Sequence, residues 1–203
     1  MRNSVLSART VSTKRIKMGR IIFIYSTVDG HTLKICEYLA KVVKNRGFST
    51  DIVKLTPNSA IDLEAFDQVV IGASVRYGKH RLEVEQFITD NIEKIEVKHG
   101  AFFSVNAVAR KPGKRSASSN PYVRKFLEKS IWKPSIIGIF GGMIDYSMYG
   151  FWDRTMIRFI MWITKGPTDL NSKVDFTNWD EVEAFGGALC TIRSNANHNK
   201  ETK

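Results

Sequence analysis

The run Ser26-Thr27-Val28-Asp29-Gly30-His31-Thr32 gathers small hydroxyl residues around a glycine, directly after an apolar strand-length segment and directly before a helical one. At a helix N-terminus such a loop offers backbone N–H donors, hydroxyls and the positive end of the helix dipole, which is the chemistry of phosphate binding. No lysine follows in the G-x-x-x-x-G-K-S/T arrangement, so no nucleoside triphosphatase loop is encoded, and no G-x-G-x-x-G marks a dinucleotide site. What remains is a monophosphate held by neutral donors, for which flavin mononucleotide (FMN) is the usual ligand. The plainer alternative is that the serine and threonines only cap the helix.

Two more segments follow apolar runs: Ser74-Val75-Arg76-Tyr77-Gly78 and Ser104-Val105-Asn106-Ala107-Val108. A flat ring needs a planar or apolar surface against its face and backbone donors at its edge. Tyr77 and the backbone from Ser104 to Val108 are of the right types, although Tyr77 also reads simply as a loop aromatic. Arg76, Arg110 and Lys111 would stand at the ring end, where cations favour the charged, reduced form of a flavin; a solvated charge run is the alternative. Arg110, Lys111, Lys114 and Arg115 also form a cationic group suited to carboxylates, arginine through its bidentate fork. His31, His80 and His99 are scattered, so no general acid or base is identified. Cys36 and Cys190 lie outside any C-x-x-C pattern and read as small core residues, and no metal site is expected.

Several elements must position these loops. Ile21 to Tyr25 is apolar throughout, as in a strand buried on both faces of a parallel sheet. Cys36, Leu39, Ala40 and Val43 follow with helical spacing, closed by Gly47. Thr50 to Leu55 predicts a more polar edge strand, Gln68 to Ala73 a third strand, and Ala101 to Val105 a fourth. One helix is expected over Val84, Phe87, Ile88, Asn91, Ile92 and Ile95. Asn120-Pro121 pairs an N-cap with a first-turn proline and opens a helix from Tyr122 to Ser130. Ile136 to Phe140 is the fifth strand, and a last helix from about Thr177 buries Val182, Phe185, Leu189 and Ile192. Strands alternating with helices give a doubly wound α/β sheet, whose ligands sit at the carboxyl ends of the strands.

The chain has 203 residues, enough for one domain, with 43% hydrophobic and 25% charged residues, so disorder and collagen are excluded. Its net charge of +11 is unevenly spread: residues 1–20 and 110–125 each hold six cations and no acid, leaving the rest near neutral. Residues 1–18 read as a disordered basic extension or an upstream start, residues 19–195 as the folded domain, and 196–203 as a disordered tail. The most apolar stretch, Phe151 to Thr164, spans only ~21 Å as a helix and is too short to cross a hydrocarbon core of ~30 Å.

Between the fifth strand and the last helix, an insertion of about 142–173 exceeds what the alternating pattern needs. Its helix, from Phe151 to Lys165, sets Arg154, Arg158 and Lys165 on one stripe. Phe151, Trp152, Met156, Phe159, Ile160, Trp162 and Ile163 cover most other directions. A basic stripe beside a broad aromatic face suits a membrane interface with anionic lipid; packing on the sheet is the alternative.

The phosphate loop resembles that of flavodoxins. The chain from Ile21 to about Ile192 resembles the flavodoxin-like, quinone-dependent protoporphyrinogen IX dehydrogenases of bacterial haem biosynthesis. The specific segments are Val70 to Gly78, Ser104 to Pro112, and Trp152-Asp153-Arg154 with Met156-Ile157. The resemblance implies an α/β, flavodoxin-like, doubly wound five-stranded parallel sheet of order 2-1-3-4-5. It is of the long-chain type, with the insertion interrupting strand five and Val174 to Thr177 resuming it. It implies bound FMN on Ser26 to Thr32, Ser74 to Gly78 and Ser104 to Val108. It also implies six-electron oxidation of protoporphyrinogen IX to protoporphyrin IX in two-electron steps, with menaquinone or ubiquinone as acceptor. Family members sit peripherally on the cytoplasmic face of the inner membrane. Arg110, Lys111, Lys114 and Arg115, with Trp152, Arg154 and Arg158, are then candidates for substrate or membrane contact. A flavodoxin-like NAD(P)H:quinone oxidoreductase or an electron carrier are the alternatives. Nucleic-acid binding through the basic segments lacks any recognised motif.

Overall fold

A computed structural model describes residues 19–201, apart from 58, 149, 164, 165, 167, 171 and 172. The basic segment 1–18 and Lys165 lie outside the described residues. The elements run β1 (Arg20–Ser26), α1 (His31–Lys44), β2 (Ser49–Lys54), β3 (Gln68–Arg76), β4 (Lys79–His80), α2 (Leu82–Asp90) and α3 (Ile92–Glu96). There follow β5 (Ala101–Asn106), α4 (Pro121–Lys129), β6 (Ile136–Gly141), β7 (Met143–Asp145), α5 (Phe151–Ile163), β8 (Lys173–Asp175) and α6 (Trp179–Glu201). α6 runs beyond residue 195, where the folded domain was expected to end.

The main sheet has the order β2-β1-β3-β5-β6, all parallel, which is 2-1-3-4-5 when only the five parallel strands are counted. Alternate residues of each strand point to opposite faces. On one face Phe23, Val70 and Phe103 pack with Ile35, Leu39 and Val43 of α1 and with Val182, Phe185 and Leu189 of α6. On the other, Ile24, Ile71 and Phe102 meet Val84 and Phe87 of α2, Ile95 of α3 and Phe126 of α4. Double-sided burial explains why these strands read as unbroken apolar runs. Ile192, expected in the core, is half-buried.

Three local features depart from the sequence reading. The helix predicted through Ile95 breaks at Asn91, whose side-chain amide donates to the Phe87 carbonyl at 2.9 Å, so that local side-chain bonding competes with the helix. At the end of β3 the chain folds back as β4, pairing Val75 with His80 and Arg76 with Lys79. The turn has φ of 50° at Tyr77 and 77° at Gly78, the two left-handed residues of a tight hairpin. The insertion, finally, does not interrupt strand five. β6 is continuous from Ile136 to Gly141 in register with β5, and Lys173–Asp175 pairs antiparallel with Met143–Asp145 in a separate two-stranded sheet. The returning chain crosses the end of β6 instead of extending it. A Cβ on Gly141 would collide with the Phe176 carbonyl, and the Thr177 hydroxyl donates to the Gly141 carbonyl at 2.9 Å.

Candidate functional site: a cleft at the strand ends

The phosphate-type loop leaves β1 at Ser26 and enters α1 at His31. Gly30 holds the N-cap position with φ 78°, no side chain caps the helix, and no acid occupies its first turn. The alternative that hydroxyls merely cap α1 is therefore not what the loop does. Instead three polar atoms are buried without a protein partner: Thr32 Oγ1, His31 Nδ1 and, across from them on β3, Ser74 Oγ. Burying a hydroxyl unpaired costs about 1–3 kcal/mol, so three such atoms on residues lining one cleft leave an unmet hydrogen-bonding demand there.

The His31 ring is held from behind. Its Nε2 lies 2.6 Å from Thr177 Oγ1. Because the Thr177 hydroxyl donates to Gly141, Nε2 is the donor in this contact, and Nδ1 is left buried without a protein partner. Burial lowers the His31 pKa, opposed by the nearby Asp175 carboxylate. For Asp175, burial raises the pKa but is outweighed by the hydrogen bond from the Thr177 backbone N–H, by His31 and by the hydrogen bond from Lys34, so it stays below the usual carboxylate range.

These atoms line a cleft of about 540 Å³, within the size range of cofactor sites. Thr27, Asp29, His31 and Thr32 form one end, the segment Ser74 to Gly78 a side, and Val105 to Val108 the floor. Four of the sequence-nominated residues lie elsewhere. The Ser26 hydroxyl donates to Glu83 Oε1 at 3.0 Å, Gly30 serves as the helix cap, Val28 turns toward a neighbouring groove, and Ser104 is sealed beneath the floor. Arg76 enters the cleft already paired with Asp29 at 3.3 Å, so its charge is compensated. The Tyr77 ring stands 64% exposed at the rim, with the Arg76 guanidinium 5.4 Å from its centroid.

A buried hydrogen-bonded chain fixes the floor. Burial drops His80 to about 4, so it is neutral at pH 7, and its Nε2 shares a hydrogen bond with the Ser104 hydroxyl at 2.9 Å. Ser104 accepts in turn from Asn106 Nδ2 at 3.1 Å, and Asn106 Oδ1 accepts from Ala109 N–H and from Asn120 Nδ2. Asn120 Oδ1 caps α4 through Tyr122 and Val123, as its pairing with Pro121 predicted. The network ties the β4 hairpin, β5 and α4 together around the segment that edges the cleft, and every link is satisfied.

The basic residues nominated for carboxylates do not converge. Arg110 lines the cleft, held by a bond to the Ala107 carbonyl at 2.9 Å, and burial lowers its pKa. Lys111 and Lys114 are exposed and line neither this cleft nor the groove beside it. Arg115 is taken up by Glu181 at 2.8 Å and the Ala109 carbonyl.

Missed by the sequence reading are Gly142, Met143, Ile144, Ile157, Met161 and Tyr122, which complete the cleft. Most belong to the insertion. Ile157 and Met161 face inward one helical turn apart, packing with Ile144 and Tyr146. The opposite side of α5 carries Phe151, Trp152, Phe159 and Trp162, exposed by 75%, 82%, 57% and 70%. Arg158 is exposed and Arg154 half-buried. No described helix is long and apolar enough to cross a membrane.

In doubly wound sheets the loop that leads from the first strand into the first helix is a place where phosphates bind. A family model described as a flavodoxin domain matches residues 22–171. The protoporphyrinogen IX dehydrogenase (quinone) of Escherichia coli (strain K12) is 37% identical over 173 residues, covering 85% of this chain and 96% of that protein. A protein of the same name from Leishmania major is 35% identical over 174 residues, covering 85% and 75%. Solved structures that align with the chain include oxidised flavodoxin 1 from Bacillus cereus, with 14% identity, TM-score 0.42 and coverage of 60% and 84%. A Fusobacterium nucleatum flavodoxin mutant bound to flavin mononucleotide gives 15% identity, TM-score 0.41 and coverage of 65% and 73%. The chain belongs to the flavodoxin-domain family and, with these relatives, to the family of quinone-dependent protoporphyrinogen IX dehydrogenases.

Proposed function

We propose that this chain holds FMN in the cleft and oxidises protoporphyrinogen IX, passing the electrons to a membrane quinone. The observation that carries the reading is that Thr32 Oγ1, His31 Nδ1 and Ser74 Oγ, each buried and unpartnered, belong to residues lining one cleft with Tyr77 at its rim. A phosphate supplies acceptors for the hydroxyls and for the open first turn of α1, and it favours a proton on His31 Nδ1. Bound there, FMN supplies two-electron acceptance from a C–H donor and reoxidation by a quinone.

The chain's own residues do the positioning. The backbone from Val105 to Val108, braced by Asn106 and Asn120, presents a fixed edge to a ring. Arg110 places a half-buried cation beside it, which favours the added negative charge of the reduced state. Ile157 and Met161 close the far wall against water. The exposed aromatic side of α5 lies at the membrane interface, with Arg158 toward anionic headgroups, and so brings the cleft to a lipid-soluble acceptor.

The test is an anaerobic assay of the FMN-loaded full chain with protoporphyrinogen IX and either ubiquinone or menaquinone. Porphyrin fluorescence is expected to grow only when both are present. A protein that NADPH reduces and that leaves protoporphyrinogen untouched would instead be an NAD(P)H:quinone oxidoreductase.

A further inference from the structure

Across the Tyr77–Gly78 turn lies a second groove, of about 630 Å³. It is continuous with the cofactor cleft, because Arg76, Tyr77, Gly78 and Tyr122 line both. Val28, Leu82, Phe126 and the two tyrosines give it apolar and aromatic walls, and Lys79, Lys125 and Lys129 stand along it. Its two guanidiniums are already paired, Arg76 with Asp29 at 3.3 Å and Arg81 with Glu83 at 2.8 Å. The three lysines are exposed and enter no ion pair among the described residues, and Glu85 is the one carboxylate among the lining residues. Lys125 and Lys129 are one turn apart on α4, where like charges oppose helix formation and their Cβ atoms stand about 5–6 Å apart on one face.

We propose that this groove holds the carboxylate edge of the tetrapyrrole, Lys125 and Lys129 each taking one propionate while Tyr77 and Tyr122 lie against the macrocycle. This rests on the function proposed above. The two propionates of protoporphyrinogen IX stand on neighbouring pyrroles along one edge of the ring, which matches two ammonium groups on one helix face. The flexible four-carbon stems of the lysines make up the remaining span. With the carboxylates fixed at α4, the apolar body of the macrocycle extends over the Tyr77–Gly78 turn, the shared border of groove and cleft, and so reaches the place where oxidation occurs. The cations of residues 110–115 are poorer candidates, since Arg115 is consumed by Glu181, Arg110 lines the cleft and not the groove, and neither Lys111 nor Lys114 lines the groove.

The test uses the FMN-loaded full chain and two probes: protoporphyrin IX, the fluorescent dicarboxylic product, and its dimethyl ester, in which both carboxylates are blocked. The wild-type chain is expected to bind the acid about tenfold more tightly than the ester, as charge-assisted contacts would give. Lys125→Glu/Lys129→Glu removes or inverts that preference while FMN absorbance is retained, and Lys125→Gln/Lys129→Gln falls between. Lys54→Glu/Lys94→Glu, remote on β2 and α3 and equal in its change of net charge, keeps the preference. No preference in the wild type, or an unchanged one in the α4 variants, overturns the groove and leaves the function standing. A wild-type chain that neither binds porphyrin nor oxidises porphyrinogen overturns both.

Discussion

The two walls of the cleft violate the ordinary rule of burial in opposite directions. The loop wall hides polar atoms that no protein group satisfies, in His31, Thr32 and Ser74. The insertion wall does the reverse, turning Ile157 and Met161 inward but leaving Phe151, Trp152, Phe159 and Trp162 in solvent. Neither arrangement lowers the free energy of the isolated chain. On the proposed function each is relieved by a partner of matching character, an anion for the first and an apolar medium for the second. What a wall lacks thus identifies its ligand better than what it contains, since serines and tryptophans occur on every protein surface.

The sharpest way to break this contrast is to make the insertion wall ordinary. Phe151→Ser/Trp152→Ser/Phe159→Ser/Trp162→Ser keeps the inward residues of α5. Burial of one large apolar side chain is worth about 1.5–3 kcal/mol, so loss of four, even partly immersed, is expected to weaken partition onto anionic vesicles by about 1000-fold or more. Co-sedimentation measures it, with flavin absorbance as the check that the cleft is intact. Equal sedimentation of variant and wild type would leave only the loop wall with a partner. Excising residues 150–165 is the poorer experiment, because it also uncovers Tyr146 and Ile144.

A smaller effect probes the rigidity of the loop wall. His80, buried beneath it, titrates at about 4 in the folded chain against an ordinary 6.5. Between these values the unfolded chain takes up a proton that the folded one refuses. Stability therefore falls as pH drops from 6.5 toward 4 and levels off below, by up to about 3 kcal/mol from this group. His80→Gln flattens that slope in urea unfolding measured at pH 7.5 and 5. A residual slope of the same sign remains from His31, whose pKa burial also lowers. An unchanged slope in the variant would mean that the Ser104–Asn106–Asn120 chain is not anchored by a neutral histidine.

The loop wall was legible in the sequence and the insertion wall was not, for a physical reason. Loops that follow doubly buried strands are announced by the apolar runs before them, and parallel strands deliver all such loops to one rim. That logic nominated Ser26 to Thr32, Ser74 to Gly78 and Ser104 to Val108, and all of these but Ser26, Val28, Gly30 and Ser104 line one cleft. Helix α5 is apolar in nearly every direction, so periodicity could not separate Ile157 and Met161, which line the cleft, from Phe159 and Trp162, which do not. The β4 hairpin is only two residues long, and Gly78 was its single local sign. Pairings such as Arg76 with Asp29 and Arg115 with Glu181 join residues far apart in the chain, so cations that looked available were already neutralised.

The smallest predicted effect is also the most diagnostic, because it has two signs. Thr32 is fully buried with its hydroxyl unpartnered. Thr32→Val replaces that hydroxyl by a methyl group of similar size and removes an unmet hydrogen-bonding demand. The cofactor-free protein is expected to gain about 1 kcal/mol of stability, seen as a higher Tm without flavin. The same change deletes a donor to phosphate, so FMN affinity falls by about tenfold while affinity for riboflavin, which has no phosphate, is unchanged. If the hydroxyl were merely structural, the variant would lose stability and treat the two flavins alike. A gain in the empty protein paired with a loss confined to the phosphorylated ligand has no source other than a polar atom kept unsatisfied for an anion.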